Sequence, residues 1–157
     1  MRILSFRIEK FRNLRLAECS NFPEFMVICG GNGCGKTALL EALMTAKEHA
    51  GAYGHFPFDP RAVSADAPKA TITIGLEFED EERQFVKDKY NTECPGKDEV
   101  IIEINKGGTV RAAKRSIAMH RILSHYSRAL GSPGFFDYIN ADRQMKKSEL
   151  KTWMLAI

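Results

Sequence analysis

Eight consecutive residues, Gly30-Gly31-Asn32-Gly33-Cys34-Gly35-Lys36-Thr37, fit the pattern of a glycine, four residues and then Gly-Lys-Thr. That order of residue types cradles phosphate. Glycines let successive backbone N–H groups turn inward toward phosphate oxygens, and a helix opening at the end of the loop adds the positive end of its dipole. Lys36 supplies a point charge for the β- and γ-phosphates, and the Thr37 hydroxyl supplies a ligand for Mg²⁺ held against them. Gly30, Asn32, Gly33, Cys34, Gly35, Lys36, Thr37 and Ala38 are therefore the candidate nucleotide-binding set.

Such a loop needs a strand before it and a helix after it. Phe25-Met26-Val27-Ile28-Cys29 is a short apolar run ending at Gly30, as a buried parallel strand requires. Residues 38 to 46 are good helix formers throughout, with an apolar face suited to packing on a sheet. The helix is expected to stop near Gly51 and Gly54. Cys34 lies inside the loop near a helix N-terminus, so redox control is one reading and a small residue tolerated in the loop is the favoured one.

The 157 residues bound the chain to one domain large enough to bury most of its core. No apolar run is long enough to cross a bilayer, and Arg2 and Arg7 interrupt the start too early for a secretory signal. The expectation is a cytoplasmic protein without membrane contact. Cys19, Cys29, Cys34 and Cys94 show no C-x-x-C spacing and read as reduced thiols. The net charge of +3 identifies no polyanion partner, but its distribution is uneven. Between Glu103 and Asp137 there is no acidic residue, while Lys106, Arg111, Lys114, Arg115, Arg121 and Arg128 fall in that interval. This stretch is a candidate DNA contact, with a solvated face, or a partner for the acidic cluster Glu77 to Glu82, as the competing readings.

Around the loop, Leu4, Phe6 and Ile8 alternate as in a half-buried strand, and a second strand is expected over 14 to 18, with Leu14 and Leu16 on one face. Phe11-Arg12-Asn13 forms the turn between them. Residues 55 to 69, with Pro57, Pro60 and Pro68, read as a loop or insertion. His49 and His55 flank the break before it and lack the neighbouring ligands of a metal site. Ile72, Ile74, Leu76 and Phe78 define one face of a strand over 70 to 78. Residues 79 to 90 read as a helix whose acidic first turn complements its positive end. Segments 99–104 and 109–113 suggest a hairpin around Gly107-Gly108, and residues 116 to 130 a helix. Phe135 to Ile139 returns as a strand and leads toward Gln144.

With "FRIEKFRNLRL" followed by "VICGGNGCGKTALLEAL", the opening of the chain resembles the ABC-type ATPase heads of RecF, the SMC proteins and the overcoming-lysogenisation-defect (OLD) nucleases. Asn32 and Gly33 match the G-x-N-G-x-G-K-[ST] form of the loop in that group, and the resemblance is strongest over residues 1 to 46. It implies an α/β fold, a P-loop NTPase core of ABC-ATPase type with an antiparallel β subdomain, incomplete in this chain. The expected division is 1–54 for the opening strands, loop and helix, 55–69 for a loop or insertion, 70–115 for the antiparallel region with its helix, and 116–157 for the helical segment, strand and Q-loop region. ATP and Mg²⁺ are the implied ligands. Arg12 and Asn13 of the turn are the implied additional nucleotide contacts, and Lys36 and Gln144 the implied catalytic residues. Gln144 takes the place of the Q-loop glutamine that contacts Mg²⁺ and the attacking water, with Arg143 as its competitor and Asp137 as a weak Walker B aspartate.

The family pattern continues with a signature motif, an apolar strand ending in Asp-Glu and a switch histidine, none of which precedes Ile157. Nucleotide binding with little hydrolysis is therefore expected of these residues. Two functional classes follow: an ATPase head that pairs as a homodimer or with a partner head to drive DNA repair or anti-phage defence through a downstream effector domain or subunit, and a nucleotide-gated binding module. An unrelated P-loop kinase is a weaker third.

Overall fold

Alternation of apolar and polar residues dictates most of the architecture. The computed structural model describes residues 1–51 and 60–128. Five strands, β1 (Arg2–Phe11), β2 (Leu14–Cys19), β3 (Lys69–Glu77), β4 (Lys97–Asn105) and β5 (Val110–Lys114), form one sheet in the order β2-β1-β3-β4-β5. Every neighbouring pair is antiparallel. The register stacks Ile8 beside Ile72 and Ile102, and Phe6 beside Ile74 and Val100. All six are buried, and a large aliphatic or aromatic side chain contributes about 1.5–3 kcal/mol when taken from water.

The opposite face of the sheet is polar. Arg7 pairs with Glu9 and Glu18, Lys69 and Arg111 converge on Glu103, and Lys114 meets Glu99. Hydrogen bonds from Lys69 and then Arg111 hold the Glu103 carboxyl below its usual range. Exposed pairs of this kind set register more than stability.

Near the end of β1 the alternation breaks. Lys10 has φ 57°, so Phe11, three residues after Ile8, also turns into the core. Leu14 lies opposite Phe11 and packs on the core, whereas Leu16 lies opposite Glu9 on the charged face and is 50% exposed. The expectation that Leu14 and Leu16 form one apolar face is corrected by this change of side.

Helix α1 (Lys36–Ala50) lies on the apolar face, burying Ala38, Ala42, Leu43, Ala46 and Ala50. Small residues on that stripe let the helix approach closely. Gly51 caps its end, and Arg115 Nη1 donates to the Ala50 carbonyl at 2.6 Å, placing a cation at the negative helix end. Helix α2 (Asp80–Tyr90) begins with a capping box in which the Glu79 N–H donates to Glu82 at 2.8 Å. The Met1 amine lies 2.6 Å from Glu79 and 2.9 Å from Glu82, tying the start of β1 to this helix. Ser116 Oγ accepts from the Met119 N–H at 3.0 Å and opens α3 (Ile117–Arg128), which buries Ala118, Met119, Ile122 and Leu123.

Among the described residues, several members of the basic and acidic runs take partners outside the other run. Lys106 donates to the Ala65 carbonyl, Arg111 and Lys114 pair across the hairpin, Arg115 caps α1, and Arg121 lies 4.7 Å from the Tyr90 ring centre. In the acidic run, Glu77 pairs with Arg2 and Lys97, Asp80 with Arg83, and Glu79 and Glu82 with the Met1 amine. The basic stretch is thus spread over several internal contacts.

The segment before the phosphate loop departs most from expectation. Phe25–Cys29 forms no strand, and Phe25 is 82% and Val27 66% exposed. A parallel strand needs parallel neighbours, and the described sheet is antiparallel throughout with β2 and β5 at its edges. Among the described residues no ladder partner meets this segment.

Candidate functional site

The site grows from two adjoining features, the turn after β1 and the loop before α1. Within the loop, Gly33 and Gly35 adopt φ 77° and 102°, the left-handed region in which a side chain is strained. Gly35 also needs its missing Cβ for space, because that atom would stand 2.5 Å from Leu14 Cδ2. The Leu14 side chain thus sets how closely the loop can lie on the β1–β2 turn. Asn13 Nδ2 then donates to the Gly33 carbonyl at 2.7 Å and fastens the loop to the same turn.

That turn is itself clamped from a distant part of the chain. Arg12 has φ 51°, its N–H donates to the Ala62 carbonyl at 2.8 Å, and Ser64 Oγ donates to the Arg12 carbonyl at 2.6 Å. Phe11 and Val63 form an isolated antiparallel bridge beside it. The described part of the expected loop at 55–69, from the short 3-10 turn Pro60–Ala62 onward, therefore braces the site.

Lys36 closes the ring. Its ammonium donates to the carbonyls of Gly30 at 2.8 Å and Gly31 at 2.7 Å, pulling the two ends of the loop together, and lies 3.8 Å from Cys34 Sγ. Helix α1 starts at this same residue, so its unpaired N–H groups face the loop. The resulting cleft, of about 320 Å³, is lined by Asn32, Gly33, Gly35, Lys36, Thr37 and Ala38 from the loop and helix and by Arg12 and Asn13 from the turn. The Thr37 side is open to solvent. A cleft with backbone donors, a fixed ammonium and an accessible hydroxyl fits a polyphosphate with a hydrated Mg²⁺ that takes few protein ligands.

The structure thus brings together Arg12, Asn13 and the loop residues predicted from sequence. Gly30 and Cys34 contribute to the loop's shape: a Cβ at Gly30 would lie 2.6 Å from Cys34 Sγ. Gln144, Arg143 and Asp137 lie outside the described residues, as does His55. Burial holds the His49 imidazole below its usual pKa. Two contributors had no readable local signal. Glu41, one turn into α1, places Oε2 2.8 Å from Arg12 Nη1 and positions that guanidinium. Ser64 acts on Arg12 across 52 residues of sequence.

A sequence profile of the AAA ATPase domain matches residues 1–152. The chain belongs to this ATPase family. Its similarity extends to ATPases of the RecF and SMC proteins. The DNA replication and repair protein RecF of Chlamydia caviae is 54% identical over 43 residues, which are 27% of this chain and 12% of that protein. A structure from work on ATP-driven dimerisation and DNA-stimulated activation of SMC ATPases aligns at TM-score 0.58 and 14% identity, over 98% of this chain and 91% of that one. An SMC head bound to the C-winged helix domain of ScpA aligns at TM-score 0.55 and 18% identity, over 78% of this chain and 40% of that one. These alignments establish the shared P-loop fold. Among the described residues, no helix is long and apolar enough to cross a membrane.

Proposed function

We propose that this chain is the ATP-binding part of an ABC-type ATPase head in which ATP binding drives pairing, as a homodimer or with a partner head, and couples to DNA repair or anti-phage defence. The observation that carries the reading is the loop ring closed by Lys36 and fastened by Asn13, which presents α1 and the loop N–H groups to one cleft. Lys36 meets the β- and γ-phosphates, Thr37 ligates Mg²⁺, and Arg12 and Asn13 edge the nucleotide. When bound, Mg²⁺ neutralises charge developing on the phosphates. Lys36 holds the phosphoryl oxygens in place, and Gln144 orients the attacking water.

The second reading is a nucleotide-gated module in which ATP acts as a conformational ligand and hydrolysis is secondary. A downstream effector domain or subunit belongs to the first reading, and direct DNA contact to either. The test is ATP binding and turnover by the purified chain, with and without Mg²⁺, in wild type and Gln144→Ala. Mg²⁺-enhanced binding with negligible turnover is expected. Robust turnover that Lys36→Ala abolishes would remove the second reading, and binding insensitive to Mg²⁺ would remove the metal role of Thr37.

A further inference from the structure

Cations on the charged face of the sheet meet carboxylates, as where Lys69 and Arg111 converge on Glu103 and Lys114 pairs with Glu99. Between the end of α2 and α3 they meet aromatic rings instead. Lys89 Nζ lies 5.2 Å from the Phe85 ring centre and 5.8 Å from that of Tyr90, and Arg121 reaches the same Tyr90 ring from α3 at 4.7 Å. Phe85 packs on the core, with Tyr90 edge-on to it at 6.0 Å and the His125 ring at 4.3 Å, so the rings form an anchored platform. Tyr90 is half-buried and leaves part of its ring to solvent. Lys87, Lys89 and Arg121 are exposed, and among the described residues no carboxylate pairs with any of them. Asp88, between the two lysines, accepts from Gln84 at 2.6 Å.

A ring attracts a cation through its quadrupole and leaves the net charge and the N–H donors in place. The helix dipole accounts for lysines in the last turn of α2 but not for Arg121, which comes from another helix. We propose that this α2–α3 surface binds single-stranded DNA. Phosphates take the N–H groups of Lys87, Lys89 and Arg121, and an unpaired base stacks on Tyr90. Lys89 and Arg121 stand on long stems and swing to the phosphates as the base takes the ring face. A duplex keeps its bases stacked on one another and offers the ring none of them, so the rings select the single strand. Lys106, Arg111, Lys114 and Arg115, from the same basic stretch of sequence, are held by internal contacts and take no part.

This surface rests on the direct DNA contact in the proposed function and not on nucleotide binding. The purified chain is titrated into a fluorescent oligothymidylate of about 16 nucleotides, read by anisotropy over a range of salt, beside a duplex of the same length. Lys89→Ala and Arg121→Ala are each expected to weaken binding roughly threefold or more and to lower the salt slope by about 0.7. Tyr90→Leu is expected to weaken it roughly fivefold or more with the slope unchanged, and Tyr90→Phe, which keeps the ring, to bind as wild type. Lys114→Ala, on the other face, should stay within about twofold of wild type. Unfolding midpoints and ATP affinity, measured for every variant, separate loss of the surface from loss of the fold. Unchanged binding when Lys89→Ala and Arg121→Ala are combined, an equal loss in Lys114→Ala, or duplex bound as tightly as single strand would overturn the assignment and leave direct DNA contact standing. A folded chain that binds ATP but neither oligonucleotide would overturn the surface and the DNA contact together.

Discussion

The antiparallel sheet and the segment entering the phosphate loop are both rich in apolar residues, yet one is closed and the other open. In the sheet, each strand meets its neighbours in register, and Ile72, Ile74 and Ile102 are fully buried under α1 and the surrounding elements. In the segment Phe25–Cys29, Phe25 and Val27 face outward with no strand beside them among the described residues. Hydrophobicity alone does not make a strand; backbone partners do. The site lies at the junction of these two regions. Its geometry is held by the closed one, through Asn13, Leu14 and the Ala62–Ser64 clamp.

That contrast is open to attack by mutation. Ile74→Ala is expected to destabilise the fold by about 2–5 kcal/mol, and Phe25→Ser to stay within about 0.5 kcal/mol, in chemical denaturation. An equal loss at both positions would show that Phe25 is buried in a sheet completed by residues outside the described ones. Gly35→Ala is expected next, at about 1–3 kcal/mol from its left-handed φ and the contact with Leu14, with loss of ATP binding. Leu14→Ala gives up packing of its own, but combined with Gly35→Ala it should cost less than the sum of the two single substitutions, because it removes the clash and leaves the backbone strain. Asn13→Ala removes one hydrogen bond between turn and loop, worth about 0.5–1.5 kcal/mol, and should appear as weaker ATP affinity with a nearly unchanged unfolding midpoint. A shift of the midpoint without a change in affinity would place Asn13 in the fold alone.

The smallest effect concerns the tie between β1 and α2. Burial pulls the Met1 amine pKa down, but hydrogen bonds and charge from Glu79 and Glu82 outweigh it and leave the pKa raised above 8.0. The folded state binds this proton more tightly, so the stabilisation is complete below pH 8 and fades as pH rises through the folded value. The unfolding midpoint should fall across that alkaline window, and N-terminal acetylation, which removes the charge, should flatten the slope. An identical slope in the acetylated chain would assign it to other groups.

Much of this was legible in the sequence because it is local. Ile72, Ile74 and Leu76 announce their strand by strict alternation, the acidic turn of α2 by its charges, and the phosphate loop by its glycines before Lys36. The side change at Lys10 was not legible, since a left-handed backbone at lysine has no compositional mark. Nor was the bracing of Arg12 by Glu41 and Ser64, which depends on contacts distant in sequence. The strand expected at Phe25–Cys29 followed from a correct apolar pattern, but its pairing depends on neighbours that the pattern does not specify.

The central claim is that the ring closed by Lys36 binds the phosphates of ATP. Calorimetric titration of Mg²⁺-ATP into wild type and Lys36→Ala, with unfolding midpoints measured in parallel, tests it most directly. Loss of the charge-assisted bonds should weaken binding by roughly tenfold to a hundredfold, about 1.5–3 kcal/mol, with the fold retained. Unchanged affinity in a folded Lys36→Ala chain would contradict the account.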